Sequence, residues 1–270
     1  MEAFVFDMEH AVRIAESKRD FLQTFVPDLV RAEKLQSGLD VGCGLGFFSG
    51  YLERIGLNVV GFDARSSNVA EAMKRNSGVD FYVYDLEDLA VSQLGSFDLV
   101  LCLGLLYHLE NPFRAIRNLY SVTKKHLVIE TIVAPIRRPV AALCREGPGE
   151  DQSLQCVALI PSEMCLVNMM YKAGFRAVYR TTVLPDHEDF HSHLMRKKMR
   201  TILVASKTGV RSPILQLARE DWSRADMWQA PLAYISQYGY GPLFSAISRV
   251  IDCCINNATI SAKKGAGPIA

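Results

Sequence analysis

Apolar and polar residues follow two different periods along most of this chain. Short apolar runs at 39–41, 58–62, 79–84, 97–103, 126–132, 175–184 and 201–206 are typical of strands. Between most of them, apolar residues recur at helical spacing, at 47–55, 66–75, 113–122 and 162–172. Strands that alternate with helices predict an α/β fold in which a mostly parallel, seven-stranded sheet carries helices on both faces.

Two other segments precede and interrupt this core, which we place at 35–207. Residues 1–34 predict an N-terminal helical cap, because their apolar side chains recur at helical spacing. The regular pattern is lost from 131 to 160, where Pro and Gly are frequent. We therefore interpret 131–160 as an insertion over the sheet.

Residues 208–270 follow the core as a C-terminal extension, and we expect its last ten residues to be disordered. Within it, the stretch 227–248 has no charged residue over a length that could span a bilayer. Its Pro, Gly and Tyr residues favour a buried or interfacial element instead. We expect no membrane span.

Composition limits the partners and the compartment. The chain has 30 Lys and Arg against 29 Asp and Glu, and a net charge of +1 creates no general attraction for nucleic acid or anionic membrane. Its 7 cysteines are scattered without a C-x-x-C pair, which indicates reduced thiols rather than a disulfide framework or zinc site. The first residues, MEAFVFDMEH, are acidic where a signal peptide is basic. These features predict a cytoplasmic protein.

The stretch DVGCGLG, residues 40–46, lies between a predicted strand and a predicted helix. Backbone N–H groups and a helix N-terminus at such a turn can contact a ligand at the carboxyl edge of the sheet. A dinucleotide-binding G-x-G-x-x-G would require glycine at position 47, which is Phe47. The spacing therefore favours a ligand other than NAD, with tight turns alone as the simpler alternative.

This D-x-G-x-G-x-G string resembles motif I of the class I S-adenosylmethionine (SAM) dependent methyltransferases. The resemblance covers about 35–207 and implies a Rossmann-like fold with SAM as the cofactor. It places Gly42, Gly44 and Gly46 against the amino-acid part of SAM. It also implies that Asp40 helps to hold the ammonium group of that part.

The resemblance assigns further cofactor contacts to the ends of the next strands. Asp63 would accept the ribose hydroxyls, as acidic residues also do in NAD-binding folds. Asp85 would bind the adenine amino group and Leu86 would pack on the ring, although Asp85 can instead cap a following helix. Leu103 ends the fourth strand, where the transferable methyl group points in this family.

The catalytic candidates follow the fourth and fifth strands. The string FDLVLCLGLLYHLENP resembles a subfamily that includes tRNA wobble-uridine carboxymethyltransferases. His108 is a candidate general base because it titrates near neutral pH, but it can equally satisfy backbone groups. Tyr107 can orient an acceptor or simply pack. Glu130 points either to a substrate or into a buried hydrogen-bond network.

Two polar clusters near the last strand have ordinary explanations. His187, His191 and His193 lie among acidic residues in the connection between the last two strands, remote from the predicted cofactor site. We interpret them as a solvated turn and expect no functional metal. The basic run 196–200 is typical of a charged turn, with a phosphate contact as the less favoured alternative.

The sequence therefore predicts a SAM-dependent enzyme that methylates an oxygen or nitrogen of a small molecule. The alternative is a tRNA wobble-uridine-modifying (carboxy)methyltransferase. The balanced charge argues against RNA binding unless the basic residues share one face. A non-catalytic SAM-binding protein is the third hypothesis.

Overall fold

The computed structural model describes residues 4–146, 153–154, 156–192 and 199–222. The chain divides into two compact units, Met1–Asp221 and Trp222–Ala270. All helices and strands named below belong to the first unit. The interpretation of 227–248 and the expected disorder of the last ten residues both concern residues outside the described part of the chain.

The strands of the described residues are β1 Ser37–Val41, β2 Asn58–Asp63, β3 Asp80–Val83, β4 Phe97–Leu103, β5 Thr123–Ile132, β6 Ala141–Arg145, β7 Val157–Pro161, β8 Ala177–Thr181, β9 Arg200–Ser206 and β10 Leu215–Ala218. Eight of them form one sheet in the order β10-β8-β9-β5-β4-β1-β2-β3. Strands β1 to β5 pair in parallel, whereas β9 runs antiparallel to β5 and β8, and β10 antiparallel to β8. The predicted Rossmann-like, mostly parallel sheet is confirmed.

The helices are α1 Glu9–Gln23, α2 Val26–Glu33, α3 Phe47–Arg54, α4 Ser66–Arg75, α5 Pro112–Val122 and α6 Glu163–Ala173. The first two form the segment predicted as a cap. Local signals explain several ends: Ser162 Oγ accepts a hydrogen bond from Cys165 N ahead of α6, and Gly174 ends that helix with φ 119°. In the described part of the chain, no helix combines the length and hydrophobicity needed to cross a membrane.

Both faces of the sheet are buried. Alternate residues of each central strand point to opposite faces, so each strand contributes side chains to two hydrophobic clusters. Along β4, Val100 and Cys102 join a core cluster with α5 and α6, whereas Leu99 and Leu101 join a second cluster with the first four helices. All four side chains are completely buried. This is why β4 reads as a continuous apolar run rather than as an alternating one.

Two elements differ from the predicted pattern. The insertion contains a β-hairpin, in which β6 pairs antiparallel with β7. Leu159 N on β7 donates to Leu109 O at 3.0 Å and so attaches the hairpin to the segment that follows β4. Strand β10 adds an eighth strand at the sheet edge, within the segment predicted as a C-terminal extension. Both elements have partly exposed strands, which weakens their apolar signal.

Candidate functional site

A cavity of about 1000 Å³ opens at the carboxyl edge of the sheet, where β1 lies between β4 and β2. Chain connections depart in opposite directions from this point, which is where open α/β sheets bind ligands. The loop after β1, the ends of β2 and β4, and helix α1 all contribute to its wall. The volume is at the upper end of the range for ligand pockets, roughly 300–1000 Å³. The cavity is therefore as large as the larger pockets that bind small molecules in proteins.

The glycine loop folds back onto the end of β2. Gly42 N and Cys43 N both donate to Phe62 O at 2.9 Å. Gly42, Gly44 and Gly46 have φ values of 69°, 53° and 83°, in the left-handed region that favours glycine. The loop thus has a backbone shape that residues with side chains rarely adopt.

Asp63 fixes this loop from the end of β2. Its Oδ2 accepts from Gly44 N at 3.0 Å, and its Oδ1 accepts from Arg65 N at 2.9 Å and Asn68 Nδ2 at 3.0 Å. A carboxylate has about four acceptor positions, so roughly one remains for a ligand. Asp63 also lines the cavity. Donors of the protein itself therefore use most of the acceptor positions of Asp63, the residue that we expected to accept both ribose hydroxyls.

Asp40 lies beneath the loop rather than on the cavity wall. Its side chain is buried, and Ser49 Oγ on α3 donates to Oδ2 at 2.6 Å. Burial raises the pKa of Asp40 to about 6. The contact connects β1 to the first turns of α3 and so supports the loop from below.

Three further predicted cofactor residues line the cavity: Asp85, Leu86 and Leu103. Asp85 Oδ1 accepts from Glu87 N at 2.8 Å within a turn, and the helix that follows, Leu89–Leu94, is capped by Asp88 instead, so the capping alternative for Asp85 is wrong. Leu86 is almost fully buried, and its carbonyl accepts from Asn118 Nδ2 at 2.8 Å. The residues that follow β3 and the last residue of β4 thus line the same cavity.

Glu130 belongs to a buried ion-pair network. Lys18 Nζ from α1 and Arg200 Nη1 from β9 each lie 2.9 Å from one of its carboxylate oxygens, and Glu130 is 0% exposed. Burial alone would raise its pKa, but the two cations outweigh burial and hold the pKa below its usual value. Glu130 is therefore ionised, and the buried-network alternative describes its position.

Arg200 connects this network to Tyr107. Its guanidinium lies 5.1 Å from the Tyr107 ring centroid, and Nη2 donates to Tyr107 Oη at 3.4 Å. Burial raises the pKa of Tyr107, so the phenol keeps its proton at neutral pH. Arg200 and Tyr107 both line the cavity, which makes them candidates for orienting an acceptor.

His108 lines the same cavity one residue further on. Its Nδ1 lies 2.6 Å from Glu146 Oε1, and both side chains are mostly buried; because a carboxylate only accepts hydrogen bonds, we assign the ring proton to Nδ1. Burial lowers the pKa of His108, and Arg200 and Arg65 lower it further, whereas the Glu146 carboxylate raises it. The net direction is downward, so the ring is neutral at pH 7 and Nε2 is its basic nitrogen.

Sequence reasoning missed three residues of this site. Lys18 carried a weak signal, since it lies on the apolar face of α1 next to Phe21 and Leu22. Arg200 was included in a basic run interpreted as a charged turn. Glu146 gave no signal, because the hairpin that carries it was not predicted.

The histidine cluster has only local contacts where it is described. His187 Nδ1 accepts from Asp189 N at 3.3 Å, and His191 Nε2 lies 2.9 Å from Pro185 O. His193 is outside the described residues. Across the described ranges, no three His, Cys, Asp or Glu side chains are grouped so that they could hold a metal ion.

Residues 39–129 match the family model described as a methyltransferase domain. A ubiquinone biosynthesis O-methyltransferase from Xanthomonas axonopodis pv. citri (strain 306) is 41% identical over 90 residues, which cover 32% of this chain and 38% of that protein. The corresponding enzyme of Xanthomonas oryzae pv. oryzae (strain PXO99A) is 40% identical over 83 residues, 29% of this chain and 35% of that protein. The matched segment thus spans less than two fifths of these curated relatives.

Solved structures extend the similarity of fold beyond this segment. The N-terminal domain of EvdMO1 with SAH bound aligns with a TM-score of 0.55 at 20% identity, over 71% of this chain and 80% of that chain. Magnesium protoporphyrin IX methyltransferase from Synechocystis PCC 6803 with bound SAH aligns with a TM-score of 0.51 at 20% identity, over 77% and 90%. The fold of the first compact unit is shared with both.

Proposed function

We propose that this chain is a class I SAM-dependent methyltransferase that methylates a hydroxyl oxygen of a small molecule, with His108 as the general base; the match of residues 39–129 to a methyltransferase domain supports this. The observation that carries this proposal is the shared cavity, which places His108 and the glycine loop around one space. The O-methyltransferase names of the relatives support oxygen over nitrogen.

The cavity wall offers groups that fit each part of SAM. The glycine loop gives a close backbone approach, and Asp63 keeps an acceptor position for a ribose hydroxyl. Asp85 and Leu86 are suited to the adenine. Lys18 Nζ uses one of its donors on Glu130 and lies 5.7 Å from the Phe48 ring centroid, beside the glycine loop. We assign Lys18 to the carboxylate of the amino-acid part.

The reaction needs alignment and one proton transfer. Bound SAM supplies an electrophilic methyl group on a positively charged sulfur. A hydroxyl acceptor is a weak nucleophile until its proton leaves. A general base whose pKa lies near the working pH therefore accelerates the methyl transfer. His108 takes this proton on Nε2 while Tyr107 and Arg200 orient the acceptor. The acceptor oxygen gains the methyl group as the methyl–sulfur bond breaks and its electron pair stays on sulfur, which becomes neutral, and His108 later releases the proton to solvent.

The test measures transfer from methyl-labelled SAM to phenols, catechols and aliphatic alcohols, with primary amines in parallel. We expect labelled ethers, and we expect His108→Gln to lower kcat about 10²- to 10⁴-fold while the Kd for SAM from calorimetry stays within about twofold. His191→Gln, in the connection before β9, is the control and should keep full activity. Transfer to amines alone, or unchanged turnover in His108→Gln, would contradict the proposal.

The RNA-modifying alternative gains no support from Lys124, Lys125 and Arg200. Lys124 and Lys125 begin β5 at the opposite edge of the sheet from the cavity, and they pair with Asp98 and Glu33. Arg200 is engaged in the network described above. Lys124 and Lys125 therefore do not share a face with Arg200, as the RNA hypothesis would require of them.

A further inference from the structure

The insertion between β5 and α6 brings a carboxylate to His108 from 38 residues further along the chain. Glu146 follows β6, and its Oε1 accepts the Nδ1–H of His108 at 2.6 Å. Side-chain exposure is 11% for His108 and 15% for Glu146, so water screens this contact poorly. Nothing in the predicted methyltransferase core supplies this partner, because it comes from the hairpin.

The Glu146 carboxylate is itself held in place. Its second oxygen, Oε2, accepts from Ser153 N at 2.9 Å, across the end of the hairpin. Glu146 N donates to Cys156 O at 3.2 Å, which continues the β6–β7 pairing up to this residue. Strand β7 is hydrogen-bonded to Leu109, the residue that follows His108. The carboxylate and the imidazole are therefore fixed to each other through the backbone as well as through their side chains.

We propose that Glu146 is the positioning residue for His108, which rests on the proposed function of His108 as the base. The carboxylate keeps the proton of the neutral ring on Nδ1, so that Nε2 presents its lone pair to the acceptor. When Nε2 takes the acceptor proton, the adjacent negative charge stabilises the imidazolium that forms. The hairpin is thus a part of the catalytic apparatus, and not only a wall of the acceptor site.

The other charged groups around His108 make this partner necessary. Arg200 from β9 and Arg65 from the segment after β2 both disfavour a positive charge on the ring, as does burial. The Tyr107 ring is neutral and lies against the His108 ring, tilted by 43° with 4.0 Å between the centroids. Among these groups, Glu146 alone favours the protonated ring. Without its charge, His108 would be too weak a base to accept a hydroxyl proton efficiently.

The first experiment follows the His108 ring in the full chain by NMR, without any acceptor. The His108 signal is identified by its absence in His108→Gln. Its pKa is then measured by pH titration of wild type and of Glu146→Gln. Glutamine still accepts the Nδ1–H, so only the charge is removed. We expect the pKa of His108 to fall by about one to three units in Glu146→Gln, the range for an opposite charge at this distance. A shift below about 0.3 units would overturn the proposal.

The second experiment uses the hydroxyl acceptor found in the assay above. Glu146→Gln should lower kcat about tenfold or more with little change in KM, and should move the acidic limb of the pH profile to lower pH. In a His108→Gln background the same substitution should cost less than about twofold, because its effect passes through His108. An equal loss in both backgrounds would show a purely structural role.

A matched control removes a comparable carboxylate elsewhere. Glu163 has 19% side-chain exposure and lies 2.6 Å from Arg180 Nε, away from the cavity. Glu163→Gln should leave both the His108 titration and the pH profile unchanged. If no acceptor of any class is methylated, the proposed function fails, while the NMR titration still decides whether Glu146 sets the protonation of His108.

Discussion

Glu130→Gln removes the one negative charge that Lys18 and Arg200 share. In the folded chain, both cations lie 2.9 Å from this carboxylate, with side-chain exposures of 8% and 11%. The substitution leaves Lys18 without a carboxylate partner and leaves Arg200 with only Asp189, whose Oδ2 lies 3.4 Å from Arg200 Nε. Breaking a buried ion pair in this way typically costs about 3–5 kcal/mol of folding free energy. We expect Glu130→Gln to be destabilised by that amount at pH 7.

Comparison variants set the scale for this loss. Lys18→Met should cost less than Glu130→Gln, because the carboxylate then still pairs with Arg200. Glu71→Gln, in an exposed pair with Lys74, should leave the free energy of unfolding close to wild type. The folded-state pKa of Glu130 is lowered, so its contribution is present above the unfolded pKa and is lost as pH falls through the folded value. The difference in the free energy of unfolding between wild type and Glu130→Gln should therefore become smaller as the pH falls.

Urea unfolding gives the free energies, and calorimetry gives the Kd for SAM in the same variants. We expect Glu130→Gln to weaken SAM binding several-fold, because Lys18 loses the partner that positions it beside the glycine loop. A destabilisation below about 1 kcal/mol at pH 7 would refute the ion-pair reasoning. Lost turnover with stability and SAM affinity both unchanged would instead favour Glu130 as a group that acts directly on the acceptor.

Two further predictions concern the glycine loop and its support. Burial raises the folded-state pKa of Asp40 from 3.8 to about 6, so Asp40→Asn should be more stable than wild type above pH 7 by up to about 3 kcal/mol. The advantage should disappear between pH 6 and 4 in urea unfolding, and an unchanged Kd for SAM would show that Asp40 does not hold the ammonium group. Gly46 has φ 83°, and a Cβ at this position would lie 2.4 Å from Asn76 Nδ2. Gly46→Ala should therefore lower the free energy of unfolding by more than the ~1–2 kcal/mol that left-handed backbone strain alone costs. It should also raise the Kd for SAM at least about tenfold. Gly56→Ala, at φ 92° with open space around it, isolates the strain and should leave the Kd unchanged; equal effects in both variants would contradict the close contact.

The sequence alone determined the core of the sheet and the position of the glycine loop at its edge. Strands such as β4 are buried on both faces, so their apolar runs are continuous and visible without any tertiary information. The glycine loop follows β1, Asp63 ends β2 and Asp85 follows β3, and parallel strands bring their carboxyl ends to one edge. Their common location therefore follows from the order of the elements along the chain.

The weakly amphipathic elements escaped prediction. Strands β6 and β10 leave many of their side chains exposed, so they lack the apolar run that marked the core strands. They form because neighbouring strands supply hydrogen-bonding partners, which a sequence pattern does not display. The position of Glu146 beside His108 depends on one of them.

Only the tertiary structure decided how charge is distributed in the site. Glu130 left two alternatives open in the sequence, and the choice depended on Lys18 from α1 and Arg200 from β9, which are distant in the chain and adjacent in space. Burial then made these contacts strong, because a low dielectric amplifies each charge and requires a partner for it. Periodicity determines which residues enter the core, but the pairing of buried charges depends on distances that exist only after the chain has folded.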